Sequence, residues 1–306
     1  MNLIALLIGL IIERLATRIF HWRRMRWMDR MIDAGFRRAS GFANWPALIP
    51  VMLLALLLAL PVFVVIFVLG DALLGFPYLF LAIVVLFFSL GPKDIGEDVD
   101  EYCEAMRQGD EELILQTANA LVEGDVAEDP RERLQQVESA VFIQANNRLF
   151  AVIFWFVALG PFGPLGAWAY RVTDLIRRRA VFNASRAEDG AESYNDAKQA
   201  AIMLHGWLAW IPARLTALGY AIAGHFDAAF AAWRMPAEPV AASTSEASEM
   251  LLARVGNGAL ALHDEEGEEL NERGVRGATA ANRLVFRLLL IWAVVIAAMT
   301  LYGWTV

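Results

Sequence analysis

Residues 149–176 read LFAVIFWFVALGPFGPLGAWAYRVTDLI, and the parsing of this stretch decides the fold. It is apolar on both sides of an interruption made by Pro161, Gly163 and Pro164. A helix needs about 20 apolar residues to cross the hydrocarbon core of a bilayer, and Leu149–Gly160 supplies twelve. Arg148 precedes the stretch, and Arg171, Arg177, Arg178 and Arg179 close it. Two half-helices that dip in and turn back keep all these arginines on one side. A single crossing would strand one group on the far side, against the positive-inside rule. Gly160, Gly163 and Gly166 recur every third residue, as in a phosphate cradle, but no lysine or hydroxyl follows, and the prolines mark a helix break. Irregular backbone at membrane depth survives only under cover of protein or beside a wet cavity. A broken segment ending in polar residues is therefore a candidate site as well as an anchor.

Of the 306 residues, 58% are hydrophobic, against roughly 45–50% in soluble domains, which implies an integral membrane protein whose first partner is the lipid bilayer. Net charge is −8, but it is unevenly spread. Residues 13–38 hold Arg14, Arg18, Arg23, Arg24, Arg26, Arg30, Arg37 and Arg38 against Glu13, Asp29 and Asp33. Such a run is a membrane-surface signal, and no nucleic-acid partner is expected. The acidic excess lies in 94–138 and 264–272. The single cysteine, Cys103, excludes an intramolecular disulfide and offers no metal ligand set, so it reads as a packing residue. The opening MNLIALLIGLIIERL has no basic region before its apolar run and no A-x-A-like site after it, so it is expected to be retained.

Outward from the broken stretch, the pattern predicts an all-α integral membrane protein. It has three spanning helices, two broken or re-entrant helical segments and a cytoplasmic helical subdomain. Residues 1–38 comprise an apolar N-terminal helix and a basic amphipathic one, whose Trp22, Met25, Met28, Ile32 and Phe36 recur at helical spacing and predict a helix in the cytoplasmic interface. Residues 48–91 form a transmembrane hairpin, Leu48–Gly70 and Phe76–Leu90, around the turn Asp71–Gly75. Residues 93–147 form the cytoplasmic subdomain, with stripes Ile95, Val99, Tyr102, Met106 and Ile114, Ala118, Leu121, and Pro130 opens its last helix. Residues 148–233 contain both broken segments, the second interrupted by Pro212. Residues 234–277 read as a linker and flexible region, because MPAEPVAASTSEAS is linker-like and the following stretch is rich in Gly and Glu. The C-terminal transmembrane helix falls in 284–303.

Catalytic chemistry is sparse. No Walker-type phosphate loop, H-E-x-x-H motif or nucleophile elbow occurs, and His21, His205, His225 and His263 make no paired spacing. No catalytic residue, metal site or cofactor is expected. An interior histidine bonded to a neighbour is the expected role of His205. Two polar clusters remain. Tyr170, Arg171 and Asp174 lie within about one turn, with Arg171 and Asp174 at i, i+3. Arg214 follows Pro212 inside an apolar run. Charges in such segments tend to face an interior or a cavity. One reading has a structural ion pair and a snorkelling Arg214. The other has Arg148, Tyr170, Arg171, Asp174 and Arg214 lining a cytoplasm-facing pocket for an anionic ligand, a muropeptide carboxylate or a nucleotide phosphate.

The stretches NNRLFAVIFWFVALGPFGPLGAWAYR and WIPARLTALGYAIAGHFDAAFAAW, with the early IIERL and the terminal LYG, resemble the AmpE family. The resemblance spans nearly the whole chain. It implies a bacterial inner-membrane regulatory signalling modulator linked to β-lactamase induction and peptidoglycan recycling, functionally tied to the amidase AmpD. The same motifs are more distantly similar to the CobD/CbiB membrane proteins of cobalamin synthesis, through Tyr170, Arg171, Asp174, Ile211, Pro212, Arg214 and Leu215. That family joins an amino-alcohol to adenosylcobyric acid (an adenosylcobinamide-phosphate synthase type of reaction). Its acidic pair and asparagine before I-P-A-R are replaced here by His205, Gly206 and Ala209, and its H-x-S-P-N motif is missing. These departures favour a regulator over an amide-forming enzyme, because a carboxyl-activating ligase needs carboxylates for metal and proton transfers.

Overall fold

The computed structural model describes residues 26–39, 46–69, 76–90, 94–122, 125–186, 192–235 and 243–302. The apolar start, Trp22, Met25 and the turn Asp71–Gly75 lie outside them. Among the described residues every regular element is a helix. The chain runs through α1 (Arg26–Ala39), α2 (Leu48–Leu69), α3 (Phe76–Ser89), α4 (Ile95–Gln108), α5 (Glu111–Val122) and α6 (Pro130–Ala145). A π-helical turn (Asn146–Phe150), α7 (Ala151–Ala158), a 3₁₀ turn (Gly160–Phe162) and α8 (Gly163–Arg186) follow. The chain then forms α9 (Glu192–Ala223), α10 (Phe226–Arg234), α11 (Thr244–Leu260) and α12 (Leu270–Leu301).

Three stretches are long and apolar enough to cross a membrane: Leu48–Val68, Pro130–Ala158 and Leu270–Leu301. Two agree with the sequence expectation, and the third does not. The return helix of the expected hairpin, α3, has only 14 residues, short of a span. Burial separates the three: 28% of the apolar window of α2 and 22% of that of α12 are covered by protein, against 72% for Pro130–Ala158. The first two thus present bare apolar surface, such as Leu56, Leu57 and Phe67 or Leu290 and Val294, in the way lipid-facing helices do. Pro130–Ala158 is an interior element.

The interruption at 159–163 folds as a hairpin. Gly160 takes φ +53°, a left-handed conformation that glycine adopts without strain. The chain then reverses so closely that a Cβ on Gly163 would strike the Phe156 carbonyl oxygen, and one on Gly166 would lie 2.6 Å from that of Trp155. Further down, the Tyr170 hydroxyl meets Asn147 Oδ1 at 3.4 Å and Arg178 reaches Gln144 at 3.5 Å. The two arms run antiparallel, and both open ends stand at one level.

Pro212 does not break the second segment. It sits inside the uninterrupted 32-residue α9. Proline removes one N–H and leaves the carbonyl four residues earlier without its helical donor. That carbonyl, Leu208 O, accepts instead from Trp155 Nε1 on the hairpin at 3.0 Å. The other hairpin arm also donates an indole to a neighbouring helix: Trp168 Nε1 bonds Leu58 O of α2, one residue past the Leu57 carbonyl that Pro61 leaves without its helical donor. α9 also runs across the hairpin. His205 contacts Asp174 and Tyr170 at the hairpin base, and fifteen residues or about 22 Å later the Tyr220 hydroxyl donates to the Phe142 carbonyl, again at the base.

The N-terminal amphipathic helix packs differently from the sequence expectation. Met28, Ile32 and Phe36 of α1 are buried against Val51, Leu54 and Leu58 of α2 and Val172, Ile176 and Ala180 of α8, leaving Trp27 and Met31 exposed. The apolar stripe covers protein. Asp33 accepts from Arg179 and Asn183 of α8 and holds α1 in place; the Arg179 guanidinium keeps its carboxyl below the ordinary range.

Residues 94–145 form the expected helices, and both stripes are buried. Asp129 caps α6 with Pro130 in its first turn. Cys103 is buried against Thr279 and the Val275 carbonyl, and burial raises its thiol. The expected linker over 234–277 gives way. Residues 236–242 lie outside the described set, but α11 and the first half of α12 are ordered helices in the largest core, with Leu252, Val255, Ala259, Ala278 and Ala281 buried. The glycines that suggested weak structure are points of close approach: a Cβ on Gly256 would enter the Phe142 ring. The last spanning helix correspondingly starts at Leu270, not Leu284.

Candidate functional site

At the base of the hairpin α8 presents Tyr170, Arg171, Asp174, Arg177 and Arg178 on successive turns. Asp174 is fully buried and Arg171 is 3% exposed. The carboxylate accepts from Arg171 at 2.9 Å, Arg177 at 2.9 Å and Arg178 at 2.8 Å. His205 Nε2 stands 3.8 Å from it, with its ring tilted against Tyr170. The spacing explains the convergence, since i−3, i+3 and i+4 around Asp174 share one helix face. A second carboxylate, Glu249 of α11, acts electrostatically on Tyr170.

The π turn brings the opposite wall. An i→i+5 turn is rare and tends to occur at functional sites. Here it buries Asn146, Asn147 and Arg148 together. Arg148 Nη1 pairs with Asp98 of α4 at 2.7 Å, and its Nε donates to Gln144 at 2.9 Å. Asn146 donates to Asn147 at 3.1 Å. Asn146 Oδ1 and Asn147 Nδ2 are buried without a hydrogen-bond partner among the described residues, although burying a polar group without one is costly. One acceptor and one donor are therefore left over beside the arginines.

Four of the five residues expected at the site are brought together: Arg148, Tyr170, Arg171 and Asp174. Arg214 is not. It lies nine residues and about two and a half turns after His205, on the other side of α9. Its guanidinium covers the Trp210 ring at 3.9 Å and donates to the Trp210 carbonyl at 2.9 Å. Around it are the exposed Trp207, Trp210, Ile211, Leu215 and Leu218. This is the snorkelling arrangement, and Arg214 does not join the cluster around Asp174. Sequence reasoning missed several partners. Arg177 and Arg178 carried a usable signal, their i+3 and i+4 spacing from Asp174, but served there only as topology markers. Gln144, Asn146 and Asn147 stand beside Arg148 with nothing local to show that a π turn gathers them. Asp98 is 50 residues from its partner. His205 is interior, as expected, but its Nε2 stands 3.8 Å from Asp174, a contact longer than the expected hydrogen bond.

Two cavities lie away from this cluster. One, of about 710 Å³, opens between α4 and the start of α12 beside Arg107, Asn271, Arg276 and Arg283. The other, of about 310 Å³, lies where α9, α11 and α12 meet, beside His225, Arg283 and Arg287.

Apolar helices of spanning length, an interior helical hairpin and a buried arginine–carboxylate network at its base define a helical integral membrane protein with an internal polar cluster. The chain belongs to the AmpE family: the family model described as "Regulatory signalling modulator protein AmpE" matches residues 1–306. It is 26% identical to Protein AmpE of Shigella flexneri over 245 residues, 76% of this chain and 78% of that one. It is also 27% identical over 262 residues to Cobalamin biosynthesis protein CobD of Stutzerimonas stutzeri, covering 84% of this chain and 78% of that protein. The match to the CobD of Chromobacterium violaceum is 27% over 156 residues; there the chain spans about half the length of the relative, 47%. No solved structure matches.

Proposed function

We propose that this protein is a multi-pass regulator of the bacterial inner membrane, linked to peptidoglycan recycling and β-lactamase induction, and that it senses an anionic ligand at the base of its hairpin. The hairpin re-enters from the cytoplasmic side, and α9 lies in the interface with its Trp207 and Trp210 at headgroup depth. The carrying observation is the cluster around Asp174: three guanidiniums gathered on one buried carboxylate, next to a buried amide donor and acceptor that find no partner among the described residues. A muropeptide supplies the complement, a carboxylate for the arginines and an amide for the asparagines. Arg177 and Arg178 retain 15% and 25% side-chain exposure and form the rim through which it enters. The link to the AmpD amidase rests on the family resemblance.

The test is thermal unfolding of the purified protein with anhydro-muropeptides, nucleotides or corrinoids. A saturable stabilisation by muropeptide, lost in Arg177→Gln/Arg178→Gln, is the expected result. The two CobD relatives favour one second reading, an amide-forming synthase of cobalamin assembly. Stabilisation by the corrinoid and not by the muropeptide would replace the first reading with the second.

A further inference from the structure

The 310 Å³ cavity between α9, α11 and α12 is lined by Ala223, Gly224, His225, Arg283, Leu284 and Arg287, and among the described residues no carboxylate lines it. Arg283 and Arg287 are both exposed, and among the described residues neither takes part in a hydrogen bond or ion pair. This contrasts with Arg273 and Arg276 on the same helix, which are tied to Glu138, Asp264 and Glu268. The position along α12 matters. Arg283 and Arg287 stand where its polar first half ends, and the same face continues at i+3 and i+4 spacing into Leu290, 52% exposed, and Val294, 69% exposed. Across the cavity, α10 begins at His225 with no side-chain cap on its first N–H groups, and it exposes the stacked pair Phe226 and Phe230. Asp227 lies in that first turn but does not line the cavity.

We infer that this cavity is a binding site for the phosphate of an anionic phospholipid, held by Arg283, Arg287 and the N-terminus of α10, with acyl chains along Leu290 and Val294. The chemistry follows from the parts. Guanidinium forks bind phosphate oxygens at two points, a helix N-terminus attracts anions, and an apolar stripe leading away from the charges suits an amphiphile. A soluble phosphate would use the charges and leave the stripe without a role.

The full-length protein in phosphatidylcholine nanodiscs doped with phosphatidylglycerol tests this by native mass spectrometry of retained lipid. Wild type is expected to keep phosphatidylglycerol selectively. Arg283→Gln/Arg287→Gln is expected to bind it about 30-fold more weakly, from roughly one surface arginine's contribution each. Arg131→Gln, an exposed control elsewhere, should match wild type. A photoactivatable phosphatidylglycerol should crosslink to residues 283–290 of the unaltered protein, which needs no variant. Equal retention of phosphatidylcholine, unchanged retention in the double variant, or crosslinks confined to other helices would overturn the site. Displacement of the lipid by millimolar inorganic phosphate would overturn the lipid as its occupant.

Discussion

Arg171 and Arg214 carry the same sequence signal, an arginine close to a proline-marked apolar run, yet they have opposite fates. Arg171 lies on the face of α8 that also holds Ala167, Tyr170 and Asp174, so it enters the core with a carboxylate and two more guanidiniums beside it. Arg214 lies off the buried seam of α9, which is Ala209, Ala213, Ala217 and Tyr220, and it folds back on its own helix. Helix phase against the packed face decides which charge joins a network. Proximity to a proline does not.

The contrast can be broken by substitution. The largest effect is expected at Asp174. Asp174→Ala leaves three guanidiniums around a buried hole and should cost about 3–5 kcal/mol, measured as loss of thermal stability in detergent and of abundance in cells. An Asp174→Ala protein as stable as wild type would mean that the arginines find other anions. Next comes the buried Arg148–Asp98 pair. A double-mutant cycle with Arg148→Gln and Asp98→Asn should return a coupling of about 2 kcal/mol, and additivity would detach the π turn from α4. A third test addresses the indole that closes the proline turn. Trp155→Phe strands the Leu208 carbonyl at about 1–2 kcal/mol, and that cost should shrink in Pro212→Ala, where residue 212 regains its own N–H.

Smaller effects sharpen the periphery. The lowered carboxyl of Asp33 adds stability that is fully present at neutral pH and is lost as pH falls through its folded-state value, because protonation removes the acceptor for Arg179. The pair is partly exposed, so the loss should be on the order of 0.5 kcal/mol. A pH titration of unfolding from 7 to 3 should be flatter in Asp33→Asn. Least of all, Arg214→Lys should change stability by under about 1 kcal/mol and leave signalling intact. A signalling loss with Lys comparable to that of Arg171→Lys would return Arg214 to the site.

These comparisons also show what the sequence made legible. The broken stretch 149–176 carried the hairpin, because two prolines and two glycines in Gly160–Pro164 interrupt the apolar run and let the chain turn back. Arg171–Asp174 spacing carried the ion pair. Pro212 misled because the donor that satisfies its orphan carbonyl, Trp155, is more than 50 residues away. The glycines of α11 misled because Gly256 reads as a helix breaker until the Phe142 ring is seen against it. Asp98 and the asparagines of the π turn were silent for the same reason: their partners come from tertiary contact.

The central claim is that the hairpin re-enters, so that the arginine cluster and both open ends face the cytoplasm. Single cysteines placed in a Cys103→Ser background at the exposed Arg131 and Ser185, below the two arms, test it directly with a membrane-impermeant thiol reagent on intact spheroplasts. Both positions should stay unlabelled until the membrane is permeabilised and should then label fully. Labelling of Ser185→Cys from outside, with Arg131→Cys protected, would make the segment a simple crossing and contradict the account.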